Sequence, residues 1–153
     1  MPTTLAEIVT TDVGTGQLTG YSELNLPNVV TVAVDPNITL VATLGIVSVG
    51  GVNLIITKAQ FLNVSAGNRD LDLFIYRGVE SITTWNSSWF SAATAIAGNR
   101  LDSLAAGKGV SLTTVKLDTS VASTYTYWLA ARAFGGTNLE VGGNLLQIIE
   151  LKR

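Results

Sequence analysis

The sequence predicts an all-β protein, an antiparallel β-sandwich of about eight strands with an extended N-terminal arm. Several runs alternate apolar and polar residues with a period of two, and turn signals recur about every ten residues. No run shows the spacing of a long amphipathic helix. The 153 residues suffice for one domain with a sizeable buried core.

Residues 1–27 predict an extended arm or an edge strand, and residues 28–153 predict the sandwich domain. Several glycines and Pro27 interrupt the opening segment, whose strand pattern is confined to residues 8–13. Residues 29–34 are the first strong strand pattern, and a turn cluster of Asp, Pro and Asn follows them directly.

Residues 36–57 carry no charge and are long enough for a transmembrane helix. However, Thr, Ser and Asn recur in this run, and residues 38–47 alternate with the period of a strand. We therefore predict no membrane span, but a β-hairpin that turns on Gly50 and Gly51. The N-terminus lacks the basic and apolar regions of a signal peptide, so none is predicted.

Residues 54–64 predict a further strand, and residues 70–77 show the clearest alternation. In the latter run Leu71, Leu73 and Ile75 are expected to face the core, while the Asp and aromatic residues between them face outward. Residues 79–107 are rich in Ser, Thr and Ala and predict a long irregular excursion.

A strand pattern resumes at residues 110–118, and the last thirty residues hold two more β-rich runs. A Gly-Gly-Thr-Asn sequence separates the two runs, which is a hairpin-type signal. In the first run alternate residues from Tyr125 to Ala133 share one face. In the second, Ile149 and Leu151 lie opposite Glu150, which predicts a half-buried end. Leu146 and Ile148 make the start of the closing run, which begins at Leu145, apolar on both faces. This is typical of a central strand or of one covered by another chain.

Charged residues make up only 13% of the chain, against roughly 25% in an average domain. The surface is therefore rich in neutral polar groups, or much of it is hidden in an assembly. The net charge of −2 favours no nucleic-acid partner. All four charges up to Thr57 are acidic, so Glu7, Asp12 and Glu23 are candidate contacts of an acidic arm with a basic partner.

The chain contains no Cys and no His, which excludes disulfides, thiol nucleophiles, Cys/His zinc sites and histidine acid–base catalysis. We predict no catalytic residue, cofactor or metal, and no enzyme activity. Asn68, Asp70 and Asp72 could offer oxygens to Ca²⁺, but a strand spreads them over about 13 Å, so a solvated outer face is preferred. As a glycosidase pair the two carboxylates lack any sign of a raised pKa or a sugar cleft.

Trp85, Trp89 and Phe90 lie close together in the 79–107 excursion. They could stack on a sugar of a host surface. The preferred interpretation is packing over the open end of the sandwich or a contact between subunits, because large aromatics are enriched in interface cores.

Three patterns resemble phage structural proteins. Asp-Thr-Ser at 118–120 leads into Thr-Tyr-Thr-Tyr-Trp-Leu at 124–129, and Leu-Gln-Ile-Ile-Glu-Leu at 146–151 closes the chain. An acidic and apolar alternation at 70–78 ends in an aromatic residue, a base and Gly. The resemblance covers residues 45–153 and is to trimeric jelly rolls of the tumour-necrosis-factor type, which serve as capsid decoration proteins, head fibres and tail appendages.

This resemblance implies a jelly-roll homotrimer located on the virion. It would bind the major capsid protein on the capsid exterior as a decoration or cement protein of a bacteriophage. The alternative is a receptor- or glycan-binding tip domain of a phage fibre, which would use residues 79–107. Neither role implies a nucleic acid, a membrane or a cofactor.

Overall fold

The computed structural model describes residues 18–26, 28–79, 94–119, 121–136 and 138–151. These residues form nine strands and no helix, and so none that could cross a membrane. The strands are β1 (Leu18–Leu26), β2 (Val30–Thr31), β3 (Thr39–Ser48), β4 (Val52–Asn63), β5 (Arg69–Val79), β6 (Thr94–Leu104), β7 (Gly109–Thr119), β8 (Ser123–Phe134) and β9 (Leu139–Leu151).

The strands form two sheets that enclose a common core. The front sheet has the order β1-β9-β4-β7, with the short β2 also paired to β9, and the back sheet has the order β3-β8-β5-β6. The pairs within both sheets are antiparallel. The predicted all-β sandwich is therefore confirmed, and β9 is a central strand, as its doubly apolar start indicated.

The core between the sheets follows the alternation in the sequence. Alternate residues of β8 from Tyr125 to Ala133 are buried, and so are Leu71, Leu73 and Ile75 of β5. They pack against inward side chains of the front sheet, among them Ile55, Phe61, Leu146 and Ile148. Each large apolar side chain buried in this way contributes about 1.5–3 kcal/mol.

Neither predicted hairpin is present. β3 pairs with β8 in the back sheet, whereas β4 pairs with β9 and β7 in the front sheet. The turn at Gly50 and Gly51 therefore carries the chain from one sheet to the other, and the connection between β8 and β9 does the same. The glycine signals mark the reversals of the chain correctly, but a reversal does not dictate that the next strand pairs with the previous one.

Glu150 holds the turn between β3 and β4. Its side chain is fully buried. Its carboxylate accepts hydrogen bonds from the Ser48 hydroxyl (2.5 Å), the Val49 amide (3.0 Å) and the Gly51 amide (3.0 Å). A Cβ at position 51 would come within 2.3 Å of the Leu151 carbonyl oxygen. The turn thus requires glycine for space and a buried carboxylate as hydrogen-bond acceptor.

The residues at the end of β9 face the opposite way from the prediction, which put the apolar residues inside and the glutamate outside. Glu150 faces the interior, whereas Leu151 is exposed and Ile149 is half-buried on the outside. Thr57 of β4 and Asn144 of β9 are also buried, and within the described residues neither side chain has a hydrogen-bond partner. The inner side of the front sheet therefore holds several polar groups among its apolar core residues, and apolar groups lie on its outer side.

Two predicted segments differ from the structure. Within the 79–107 excursion, Thr94–Leu104 forms β6 at the edge of the back sheet, and its small and polar residues conceal the alternation. Residues 80–93 lie outside the described residues. Of residues 29–34, Val30–Thr31 pairs with β9, after which Val34 crosses to the back sheet and bridges Ala133.

The arm predicted at residues 1–27 is described from residue 18 onward. Leu18–Leu26 is an edge strand of the front sheet, paired with β9 from Leu151 to Asn144. Residues 1–17, with the strand predicted at 8–13, lie outside the described part of the chain.

The two ends of the sandwich differ. One end holds the β3–β4 turn and the β7–β8 connection, with Val47, Val49 and Val121 exposed, and we call it the valine end. The chain also enters β1, leaves β5 and returns in β6 at this end. The opposite end, which we call the far end, holds the connections β4–β5, β6–β7 and β8–β9.

Candidate partner-binding surfaces

Most candidate contacts predicted from the sequence lie outside the described residues: Glu7, Asp12, Trp85, Trp89 and Phe90. Glu23 is described. It lies exposed on β1, where it is opposite Gln147 of β9. The edge of the front sheet therefore presents this one acidic candidate.

Eight apolar side chains lie on the outside of the front sheet, together with Lys58 and Gln147, and we call this surface the front apolar face. They are Val52, Leu54 and Ile56 of β4, Val115 and Leu117 of β7, and Leu145, Ile149 and Leu151 of β9. Leu54 lies directly between Leu117 and Ile149 in the strand register. Ile56 lies opposite Val115, and directly paired residues of neighbouring strands point to the same face.

The β7 edge of this face is open to solvent. Val115 is 62% exposed and Leu117 is 57% exposed, and both lie on the edge strand β7. The members of the face on β4 are half-buried, while Ile55 between them points into the core. Clustered exposed apolar side chains make this face a candidate interaction surface. In the sequence, the uncharged run at 36–57 and the apolar residues 145–149 hinted at exposed apolar surface. Neither pattern identified this face.

The valine end is a second apolar surface. Val47, Val49 and Val121 are 70%, 62% and 75% exposed. The two connections that carry Val49 and Val121 touch each other, because a Cβ at Gly50 would lie 3.3 Å from the Ala122 nitrogen. Val49 and Val121 therefore lie on adjacent connections, and Val47 lies at the end of β3 beside them.

A buried hydrogen-bond network supports the valine end. Arg77 forms an ion pair of 2.6 Å with Asp118, the Tyr127 hydroxyl donates to the same carboxylate at 2.8 Å, and the Asn53 amide donates to that hydroxyl at 2.9 Å. Burial raises the pKa of Tyr127, and its hydrogen bond to Asp118 adds to the increase. The phenol stays protonated at neutral pH and the carboxylate is already paired, so the network serves structure rather than proton transfer.

The outer face of the back sheet carries paired charges. Asp72 forms an ion pair of 2.9 Å with Arg132, which also contacts Asp35 at 2.8 Å. Asp70 accepts a hydrogen bond from the Ser103 amide at 2.7 Å and lies 3.5 Å from the nearest nitrogen of Arg100. These carboxylates thus form ion pairs with arginines or accept a hydrogen bond from a backbone amide. Within the described ranges, no group of three acidic side chains is arranged to hold a metal ion.

Tyr76 gives this outer face a measurable pH dependence. It is buried beside Ile38 and Trp128, and burial raises its pKa to about 12. An unfolded tyrosine ionises near pH 10. Between roughly pH 10 and 12 the unfolded chain therefore releases a proton that the folded chain keeps, so the free energy of unfolding falls as the pH rises.

We expect Tyr76→Phe to reduce this fall, because the variant has no phenol to ionise at this position. Urea unfolding at several pH values across the window measures the slope. An unchanged slope would show that Tyr76 ionises equally easily in the folded and unfolded chains.

No family model matches the sequence, and no curated protein matches it. Solved structures do match. Eiger TNF from S. frugiperda is 13% identical, with a TM-score of 0.57, over 88% of this chain and 93% of that one. The infectious bursal disease virus Gx strain structure is 12% identical, with a TM-score of 0.54 over 86% of this chain. The VP2 subviral particle of that virus is 11% identical, also with a TM-score of 0.54.

This chain spans 33% of the length of each of these two viral chains. Identities this low show the fold alone. The protein therefore has a jelly-roll sandwich of the kind found in a tumour necrosis factor and in viral capsid proteins.

Proposed function

We propose that the protein is a structural component of a bacteriophage particle, a homotrimer that binds the capsid exterior and stabilises it as a decoration or cement protein. The observation that carries this proposal is the front apolar face. Its side chains need a covering surface, and a second copy of the chain supplies one with the same chemistry. The threefold state comes from the resemblance to trimeric phage jelly rolls, and the shared fold with viral capsid proteins is compatible with it.

The energetics favour association through this face. Complete burial of one Val, Leu or Ile side chain contributes about 1.5–3 kcal/mol. Of the eight side chains of the face, Val115, Leu117 and Leu151 are exposed and can contribute most, whereas the other five are already half-buried in the isolated chain. Hiding the face also accounts for a chain with only 13% charged residues.

We place the capsid contact at the valine end. Val47, Val49 and Val121 provide exposed apolar groups there. Glu7 and Asp12, which precede β1 in the sequence, would contact a basic strip of the major capsid protein. Glu23 would add to that acidic contact. A partner that binds the assembled capsid more tightly than its separated subunits stabilises the assembly by mass action.

A structural role also fits the chemistry of the chain better than catalysis. The chain has no His or Cys. The buried carboxylate of Asp118 is paired with Arg77 and Tyr127, and that of Glu150 accepts bonds from a turn. Both are committed to holding connections of the sandwich.

Light scattering and co-sedimentation with empty phage capsids test the proposal. We expect a trimer at micromolar concentration that pellets with capsids and raises their melting temperature. A chain that begins at residue 17 keeps β1, so it should still form trimers, but bind capsids at least about tenfold more weakly, or about 1.4 kcal/mol. A monomer would contradict the assembly. A trimer that ignores capsids but binds host cells would favour the fibre-tip alternative.

A further inference from the structure

A groove lies on the outer surface of the front sheet, near the far end. Its volume is about 630 Å³. Val29 forms one wall, Gln60 and Leu62 of β4 form the centre, and Ser111 of β7 and Glu140 of β9 lie on its margins. Lys58 lies beside this groove on the same side of β4, where it is paired with Leu145 of the front apolar face.

Two glycines of β9 shape the groove. The register between β4 and β9 shifts between Lys58, which pairs with Leu145, and Gln60, which pairs with Gly142. Gly143 lies within this shift. Gly143 has a φ of 56°, and a Cβ there would lie 2.7 Å from the side-chain oxygen of Gln60. A Cβ on Gly142 would lie 3.1 Å from Val29. The absence of side chains at these two positions therefore leaves room for the Gln60 and Val29 side chains, which pack over the backbone of β9 and line the groove.

The groove combines one carboxylate with neutral and apolar walls. Glu140 is half-buried, and no base among the described residues lies within ion-pair distance of it. Gln60 and Ser111 are exposed and offer neutral donors and acceptors, and Val29 and Leu62 are exposed apolar side chains. The carboxylate of Glu140 is the group of this groove that would attract a cation, and Lys58 lies two residues from Gln60 on the same side of β4.

We propose that this groove binds a lysine or arginine side chain of a partner polypeptide, with the cationic group at Glu140 and the methylene chain along Val29 and Leu62. Long basic side chains lay their stems along apolar surface and place their charge at a polar group. A charge-assisted hydrogen bond to Glu140, with Gln60 and Ser111 beside it, would select the cation over an apolar side chain of equal length. The inference does not rest on the proposed capsid role, since any partner with an exposed basic residue meets the same chemistry.

The peptide acetyl-Gly-Lys-Gly-amide, titrated into the full ¹⁵N-labelled chain, tests this site directly. We expect shifts at the amides of Leu62, Gly142 and Gly143. The matched peptide with norleucine keeps the stem but lacks the ammonium group. It should bind about fivefold more weakly, which corresponds to about 1 kcal/mol for a partly exposed charge pair.

Glu140→Gln keeps the shape of the side chain and should remove the preference for lysine over norleucine. Glu23→Gln makes the same change at an exposed acid of β1 and should preserve the preference. The proposal is overturned if the lysine peptide causes no shift at these amides, if norleucine binds equally well, or if the preference survives in Glu140→Gln. Light scattering on the same samples reports the oligomeric state separately, so failure of this site and failure of the trimer are distinguishable.

Discussion

Replacing Val115 by glutamate is expected to dissociate the assembly into single copies. Val115 lies on β7 opposite Ile56 and is 62% exposed in the isolated chain, so the variant should fold normally. In a trimer the substitution places an unpaired carboxylate in each apolar contact. The loss of valine burial and the cost of desolvating the charge together exceed about 3 kcal/mol per copy. The mass from light scattering at micromolar concentration should therefore fall to that of one chain.

Val47→Glu is the matched control. Val47 is also an exposed strand valine, at 70%, but it lies at the valine end rather than on the front apolar face. We expect this variant to keep the mass of the parent and to lose binding to capsids. If both variants keep the parent mass, the front apolar face is not the association surface. If Val47→Glu dissociates the assembly, the roles assigned to the two surfaces are reversed.

Replacing Glu150 by leucine is expected to destabilise the fold strongly. The carboxylate is fully buried and accepts hydrogen bonds from Ser48, Val49 and Gly51. Leucine fills similar space but leaves these donors without their acceptor, and each buried unpaired donor costs about 1–3 kcal/mol. We therefore expect a loss of about 3–5 kcal/mol in the free energy of unfolding, measured by urea denaturation.

Two further variants define the cause. Glu150→Gln keeps one acceptor oxygen and should lose roughly half as much stability. Glu140→Gln changes a half-buried acid outside the core and should stay within about 0.5 kcal/mol of the parent. A Glu150→Leu protein as stable as Glu140→Gln would show that the turn does not depend on the carboxylate.

The sequence predicts the face of each strong strand well, because alternation depends only on neighbouring residues. Tyr125 to Ala133 on β8, and Leu71, Leu73 and Ile75 on β5, are buried as expected. The prediction of strand pairing is weaker. The turn at Gly50 and Gly51 looks like a hairpin locally, but the next strand joins the other sheet, and no local pattern encodes that choice.

The functional surfaces are harder to predict, since they depend on contacts between distant residues. Glu150 is buried because a turn about one hundred positions earlier in the chain presents donors to it, so its polarity alone suggested the wrong side of β9. Conversely, Val115 and Leu54 look like core residues, and only the strand register places them on one exposed face. The groove at Glu140 depends on a register shift beside two glycines, which reads in the sequence as an ordinary turn signal.

The valine end and the far end lie at opposite ends of the sandwich, so a peptide inserted at one end would point away from the other. The connection at residues 105–108 lies at the far end, it is exposed, and the space around Gly107 is open. A foreign peptide inserted after Ala106 would leave both strands β6 and β7 intact and would point away from the valine end. On a capsid decorated through the valine end, every copy would present its insert outward in the same orientation, as a regular array of antigen or enzyme at fixed spacing.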